Sequence, residues 1–573
     1  MAEQRPDGAR RLRAGLGVAV ATFLLMVVTE PYLAIAWDEG FVLGRVARVV
    51  QWSRAVADPV GFAARWRPPS PGEELVQSDG RRPPDPSEVD TRAKLFTREN
   101  LEWFWPFARE EPHGHPPFYA VVGLLGEVAT PWRRALPRAR LGPMVVFSVT
   151  AGALFVFLAR RAGTWAGVAA AGAWVLQPRL FAHGHYVLLD ALLASLWVQA
   201  ILAFTKAVEV EPGSPPARRP RWGWAVAFGA CAGAAAATKL TGWFLPLPFI
   251  AWTLIRRDRR GARTIVVGGL VAVAWLYAFT PPWWGDPIGG VVRFLRSNLT
   301  RGGTTYIPTM FLGRVYVTPN GSLPWYNTLA WTVFVTPAGF LALSLAGAWW
   351  TVRAARGSPL ATLAVANWAA LLILRGLPHT PGHDGERQFL AAFGCLAIVA
   401  GLGAGRLVGL WGRWGRAVVA VALAEGAVGL ALAMPAPLSY YSPLIGGLPG
   451  ASRLGLEPTY FWDALSDDAL ARINARAGPG EKVLFSSTPT SFLYLQRIGK
   501  LQPRILPGEP GRFAWYVLQD RPGSFQPFDR LLAARARPEN VLVEKQGVPL
   551  IWIFPIADLV RAQGEAGPLG GKK

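Results

Sequence analysis

Apolar residues lie in long runs along the chain instead of alternating with polar ones. The first run, residues 14–36, is long enough to cross a bilayer as a helix, which takes roughly 20 apolar residues. Similar runs with charged ends recur, and they predict about eleven spanning helices. The predicted spans are 14–36, 141–159, 164–182, 188–205, 223–238, 241–255, 264–281, 325–352, 359–375, 388–405 and 416–434. The pattern therefore indicates a polytopic α-helical membrane protein.

The beginning of the chain resembles a secretory signal. Arginines precede the first apolar run, and Ala34-Ile35-Ala36 follows the pattern of a cleavage site. This apolar run is longer than the usual signal core of about 7–15 residues, and many further spans follow it. We therefore expect the run to remain as the first membrane helix.

Arginines account for most of the net charge of +22, and they gather in short connections between the apolar runs. These connections are 160–161, 218–221, 256–263, 353–356 and 406–416. Because cytoplasmic loops carry an excess of Lys and Arg, all five are predicted to lie on the same side as the N-terminus. The expected location is the plasma (inner) membrane, with the N-terminus cytoplasmic and the C-terminus extracytoplasmic. Membrane lipids then explain the charge, and no nucleic-acid partner is expected.

The composition changes after Pro435, where charged and turn residues return and no further run of spanning length appears. Residues 482–487, 513–518 and 550–554 have the character of strands, and 467–477 that of a helix. We therefore divide the chain into a transmembrane domain, 1–435, and a small extracytoplasmic α/β domain, 436–573. The transmembrane domain includes a large first outer loop, 37–140. Within that loop the Pro-rich residues 66–91 are expected to be irregular.

Asp38 and Glu39 follow the first predicted span directly. Ionised carboxylates at a membrane interface are costly unless they serve a function. Being adjacent, the two side chains point in different directions and need separate roles. One can act as a general base towards a hydroxyl, while the other holds a metal ion, sugar hydroxyls or a cation. The alternative is that both are solvated charges that end a helix.

A second group of polar side chains lies further along the first outer loop. Its members, which are candidates for binding substrate or a metal ion, are Glu110, Glu111, His113 and His115. Their spacing matches no zinc motif, and the Pro pair that follows suits a rigid entry to a helix, with His115 as a structural cap. The sequence implies no definite cofactor, and a divalent metal ion at this group stays an open alternative.

Three more charged residues are predicted at the outer ends of spans. Asp190 begins one span, where it is either a further candidate for binding substrate or a metal ion or a carboxylate favoured by the helix dipole. Lys239 lies between two apolar runs, and Arg387 precedes another. Both cations suit a lipid phosphate, although side chains that extend to the interface from apolar stems would explain them equally well.

Several short motifs, taken in order, resemble a known family. They are Trp37-Asp38-Glu39, His115-Pro116-Pro117, Asp190 within HGHYVLLDALL, and Lys239-Leu240-Thr241-Gly242. The chain resembles the GT-C membrane glycosyltransferases related to protein O-mannosyltransferases and to the aminoarabinose transferase of lipid A. The later motifs, residues 384–390, 438–447 and 460–463, look like a bacterial branch of that family.

The resemblance implies a GT-C fold and an inverting transfer of a sugar from a polyprenyl-phosphate donor to an acceptor hydroxyl. The transfer would take place at the outer face, and the acceptor would be a protein, a lipid or a glycan. Asp38 would be the general base or a carboxylate that positions the acceptor, with Glu39 supporting it, and Lys239 and Arg387 would bind the donor phosphate. Gln388 and Phe389 stand where relatives often have His or Tyr, which leaves the sugar and the acceptor open.

Two other classes of function are compatible with many spans. A multi-pass transporter or lipid flippase would also use buried charges, but such proteins often show internal repeats, and none is apparent in this sequence. A receptor or assembly scaffold would use the C-terminal domain to bind a partner. Only the glycosyltransferase hypothesis predicts that sugar is transferred from a membrane lipid.

Overall fold

The computed structural model describes residues 4–69, 82–105, 115–209, 220–304, 306–317, 321–354, 358–380, 382–460, 462–478, 481–502 and 513–566. Within them, seven helices are long and apolar enough to cross a membrane, judged by length and composition. They are Gly8–Tyr32, Ala135–Ala162, Leu189–Val208, Arg259–Ala278, Pro359–Gly376, Ala391–Trp411 and Arg413–Ala433. The protein is thus a polytopic helical membrane protein. Seven of the predicted spans correspond to these helices.

The other four predicted spans are shorter or divided. Span 223–238 is the apolar helix Trp222–Ala236, which has 15 residues. Proline divides the rest, because its ring and missing N–H interrupt the hydrogen bonds of a helix. Span 325–352 consists of two helices that meet at Pro337. In span 164–182 the first helix ends at Val175, and a new helix begins at Pro178. Span 241–255 starts as a 3-10 turn, and its α-helix begins only at Pro246. Continuous helices were therefore the wrong expectation at these three places.

The remaining α-helices are Trp37–Ala57, Pro59–Arg65, Arg92–Leu95, Arg98–Phe104, Phe118–Ala129, Thr164–Val175, Pro178–His185, Pro246–Arg256, Pro287–Thr304, Asn327–Val335, Ala338–Arg353, Gly447–Arg453, Asp467–Arg476, Phe492–Arg497, Pro527–Ala534 and Ile556–Ala566. Helices Leu189–Val208 and Ala391–Trp411 are buried along most of their length. Close approach within the bundle depends on small residues, since a Cβ on Gly403 would lie 2.1 Å from the Leu343 carbonyl oxygen. Asp190 lies in the first turn of helix Leu189–Val208, and Arg387 lies in the turn just before helix Ala391–Trp411.

The described residues of segment 37–140 form several helices that make apolar contacts with one another. Helix Trp37–Ala57 packs against Phe118–Ala129 and Arg98–Phe104, burying Val46 and Phe104. The described ends of segment 66–91 also take part, because the Trp66 indole donates a hydrogen bond to the Pro84 carbonyl (2.7 Å). An irregular excursion was therefore an incomplete description of this segment.

Strands occur in two places. The hairpin of β1 (Pro308–Phe311) and β2 (Arg314–Val317) lies between helices Pro287–Thr304 and Asn327–Val335. The C-terminal part contains β3 (Lys482–Phe485), β4 (Phe513–Gln519), β5 (Val541–Lys545) and β6 (Val548–Pro555) in the order β3-β4-β6-β5. The pair β3–β4 is parallel, and the other pairs are antiparallel. This small mixed sheet contains the three predicted strands. It also contains β5, which was not predicted because its second half, Glu544-Lys545, is polar.

Candidate active site

Arg387 is the centre of a buried group of charges. Its three guanidinium nitrogens each face a different carboxylate: Nε donates to Asp190 Oδ2 (2.7 Å), Nη1 to Asp384 Oδ2 (3.1 Å) and Nη2 to Asp38 Oδ2. Burial by itself would lower the pKa of Arg387, but these three carboxylates hold it well above its ordinary value. Arg387 therefore stays positively charged.

Lys239 completes this group by binding the other oxygen of Asp190. Its Nζ donates to Asp190 Oδ1 (2.7 Å) and to Gln388 Oε1 (3.1 Å). Gln388, one of the two departures from the family pattern, thus takes part in the site. We call Asp38, Asp190, Lys239, Asp384 and Arg387 the Arg387 cluster.

Local backbone structure explains how residues so distant in sequence meet. Asp38 and Asp190 lie in the first turns of their helices, where the dipole favours a carboxylate. Lys239 falls in the break after helix Trp222–Ala236, and Arg387 in the 3-10 turn before helix Ala391–Trp411. Asp384 begins that turn with a φ of 67°, a left-handed conformation that residues other than glycine adopt uncommonly. All five belong to helix ends at one end of the bundle.

Glu39 faces a different part of the protein. Both its oxygens accept hydrogen bonds from the fully buried Arg140, at 2.9 and 2.6 Å, and one also accepts from the Val187 backbone N–H at 3.1 Å. Arg140 in turn binds Glu30 at 3.1 Å. This ion pair joins the start of helix Trp37–Ala57 to helix Ala135–Ala162. Its position suits a structural support of the neighbouring Asp38.

A second buried ion pair lies directly behind the Arg387 cluster. Arg179 Nη1 donates to Glu386 Oε2 (2.9 Å), and its guanidinium lies 4.4 Å from the centre of the Tyr441 ring. The Tyr441 hydroxyl donates to the Glu457 carbonyl (2.7 Å). The later sequence motifs thus form the packing that holds the turn containing Arg387.

The proposed metal group is only partly within the described residues. Glu110, Glu111 and His113 lie outside them, while His115 is half-buried just before helix Phe118–Ala129. Across the described residues, no group of three or more His, Cys, Asp or Glu side chains is arranged to hold a metal ion.

One member of the cluster, Asp384, and two residues beside it, Arg521 and Glu457, had no role assigned from the sequence. Asp384 was noticed only as part of a motif. Arg521 Nη2 lies 3.5 Å from Asp384 Oδ1, and its Nε lies 3.5 Å from Glu457 Oε2. The available signal for Arg521 was a charged pair, Asp520-Arg521, immediately after the apolar strand β4. Glu457 is a single charge within residues 454–461 (LGLEPTYF), and this stretch has no comparable signal.

Comparison with known proteins bears on the middle of the chain. Residues 136–284, which include Asp190 and Lys239, match the family model for dolichyl-phosphate-mannose-protein mannosyltransferases. The resemblance is confirmed over this segment. None of the curated proteins matches the sequence significantly.

Solved structures with a similar arrangement are distant in sequence. ArnT from Cupriavidus metallidurans, bound to undecaprenyl phosphate, is 17% identical, with 96% of this chain and 99% of that chain covered and a TM-score of 0.49. The archaeal oligosaccharyltransferase AglB from Archaeoglobus fulgidus, in complex with an inhibitory peptide and a dolichol-phosphate, is 13% identical. The likeness to AglB covers 88% of this chain and 69% of that one, with a TM-score of 0.46.

Proposed function

We propose that the protein is an inverting membrane glycosyltransferase that moves a sugar from a polyprenyl-phosphate donor to an acceptor hydroxyl. The observation that carries the proposal is the Arg387 cluster. It brings Asp38, Lys239 and Arg387, from three separate parts of the chain, into one connected network of ion pairs. The match of residues 136–284 to a family of lipid-phosphate-dependent mannosyltransferases supports the same reaction class.

The chemistry needs both a base and cations. Asp38 accepts the proton of the acceptor hydroxyl as its oxygen attacks the anomeric carbon of the donor sugar. The bond from that carbon to the phosphate oxygen breaks, and the electron pair leaves with the polyprenyl phosphate. One displacement from the opposite face inverts the anomeric centre. The leaving phosphate is stabilised by positive charge, which Arg387 and Lys239 supply.

The geometry couples these two requirements. Asp38 is the most exposed carboxylate of the cluster, with 36% of its side chain accessible, whereas 7% of Arg387 is accessible. A phosphate that binds Arg387 competes with Asp38 for the same guanidinium. Donor binding would thus release the Asp38 carboxylate towards the acceptor. In this scheme Asp38 is fully available as a base when a donor is in place.

Transport explains the cluster less well. Charges that serve a transport pathway commonly lie near the middle of the bilayer, between broken helices. On the predicted topology the charges of the Arg387 cluster lie instead at the outer ends of their spans. On that topology these ends are extracytoplasmic, where an acceptor would be reached.

The deciding experiment is a transfer assay with the purified full-length protein. A membrane lipid extract carrying a radiolabelled sugar is supplied as donor, together with protein, lipid and glycan acceptors. We expect label to move to one acceptor class and polyprenyl phosphate to be released in equal amount. Movement of labelled lipid across reconstituted vesicles, without transfer of sugar, would overturn the proposal in favour of a flippase.

A further inference from the structure

Arg521 connects the C-terminal sheet to the Arg387 cluster. It follows the end of strand β4 by two residues, and its side chain extends towards Asp384, whose other oxygen binds Arg387. Arg521 Nη1 also donates to the Tyr460 carbonyl (3.2 Å). The series of ion pairs that runs from Lys239 through the Arg387 cluster therefore reaches Arg521, a residue of the C-terminal part.

The turn that carries Arg521 is firmly seated. Glu457 is fully buried, and its Oε1 accepts from the Met310 backbone N–H of strand β1 (3.1 Å). A Cβ on Gly523 would lie 2.3 Å from that same Oε1 and 2.6 Å from the Met310 nitrogen. Strand β1, the turn that contains Gly523 and the segment that contains Glu457 therefore pack tightly against one another. The backbone beside Arg521 is fixed, so its guanidinium is presented to the cluster from a rigid base.

A second contact ties the C-terminal part to the proposed base. The Thr490 hydroxyl donates to the carbonyl of Trp37, the residue directly before Asp38. A Cβ on Gly40 would lie 2.4 Å from the Thr490 Oγ1. The C-terminal part therefore packs on the helix turn that holds Asp38 as well as on the turn that holds Arg387.

Arg521 is the most accessible cation of this region. Its side chain is 20% exposed, compared with 9% for Lys239 and 7% for Arg387. Its two ionic contacts, at 3.5 Å each, are long, and within the described residues its Nε makes no hydrogen bond. Arg387, by contrast, is held by a contact of 2.7 Å to Asp190. Arg521 can therefore turn to a new anion at lower cost than the buried cations.

We propose that Arg521 is a substrate-binding residue that contacts the phosphate of the lipid donor together with Arg387. The proposal rests on the proposed function and adds to it a cation supplied by the C-terminal sheet. The planar guanidinium fork matches a phosphate through two parallel hydrogen bonds and keeps its charge at every physiological pH. A phosphate placed between Arg521 and Arg387 lies beside Asp384 and close to the exposed Asp38.

The test uses undecaprenyl phosphate as a probe with the full-length protein in detergent. Its binding is followed by tryptophan fluorescence and by the rise in melting temperature. For Arg521→Gln we expect binding about 10–100-fold weaker than wild type, the range for loss of a hydrogen bond to a charged group. The KM for the donor should rise while the KM for the acceptor stays unchanged. The matched control is Arg535→Gln, an exposed arginine paired with Glu565, which should behave as wild type.

A purely structural role would lower the melting temperature without separating the two KM values. If Arg521→Gln does not fold, Arg521→Lys replaces it, because it keeps a positive charge towards Glu457 and Asp384. We then expect binding to be several-fold weaker, since the fork is lost. Wild-type affinity in the folded variant would overturn the inference.

Failure of the inference and failure of the proposed function give different results. Unchanged binding in the Arg521 variants, with sugar transfer intact in the wild type, overturns only the role of Arg521. A wild type that binds undecaprenyl phosphate through Arg521 but transfers no sugar overturns the proposed reaction alone. A wild type that does not bind the probe overturns both.

Discussion

Asp38 and Glu39 are neighbours in the chain, yet their carboxylates belong to separate ion pairs, Asp38 with Arg387 and Glu39 with Arg140. The first pair is partly exposed and the second is fully buried. Substitution of Asp38 should therefore lower activity, whereas substitution of Glu39 should lower stability. Each variant serves as the control for its neighbour.

Asp38→Asn should abolish sugar transfer without unfolding the protein. The amide has almost the same shape as the carboxylate but cannot accept the proton of the acceptor hydroxyl. Loss of a general base typically lowers the rate by about 10²–10⁴-fold. Arg387 keeps Asp190 and Asp384, so the cluster should persist. Transfer near the wild-type rate, measured at saturating donor, would refute the role of Asp38.

Glu39→Gln should destabilise the protein. Among the described residues it leaves the fully buried Arg140 with Glu30 as its remaining carboxylate partner, and breaking a buried pair on one side costs about 3–5 kcal/mol. Thermal unfolding in detergent should show a clearly lower midpoint, with activity falling in proportion to the folded fraction. A variant with the wild-type midpoint and no activity would instead make Glu39 a direct participant in the reaction.

Arg387→Lys should impair the site although the charge is kept. A single ammonium group cannot reach three carboxylates in the directions that the guanidinium serves. We expect donor binding to weaken and transfer to fall by roughly 10-fold or more, the loss of at least one charged hydrogen bond. Arg472→Lys, at an exposed pair with Asp468, is the matched control and should have no effect. Equal donor affinity in both variants would remove Arg387 from the phosphate site.

Much of the cluster was predictable because each of its members lies at the end of an apolar run. Asp38, Asp190, Lys239 and Arg387 were all assigned to the same side from the alternation of spans alone. Their pairing could not be predicted, since it depends on how helices from distant parts of the chain pack against one another. The breaks at Pro178, Pro246 and Pro337 were also missed, because a hydrophobic run does not reveal them.

Arg521 and Glu457 were missed for a different reason. They come from segments after the last span, and the sequence contains no periodic pattern that relates those segments to the membrane helices. Their contact is made by a turn, Pro522–Ser524, that packs on strand β1. Long-range contacts of this kind become visible only in the folded chain.

Two carboxyls beside Arg521 should make stability depend on pH. Burial raises the pKa of Glu457 to about 7, although Arg521 partly offsets the effect. Burial, helped by the charge of Glu457, also raises the pKa of Asp520 to about 8. In the unfolded chain such groups titrate near pH 4, so the folded state binds more protons between about pH 4 and 8. The contribution of both groups to stability is therefore full at low pH and is lost as the pH rises.

The melting temperature should accordingly fall between about pH 5 and 8 by more in the wild type than in a variant that cannot titrate there. Glu457→Gln should flatten this slope, and the double variant with Asp520→Asn should flatten it further, because neutral amides release no proton. Asp468→Asn, at an exposed position, should keep the wild-type slope. All other titrating groups are the same in the wild type and the variants, so their contribution to the slope cancels when the slopes are compared. Equal slopes in the wild type and the double variant would show that neither carboxyl is protonated in the folded protein.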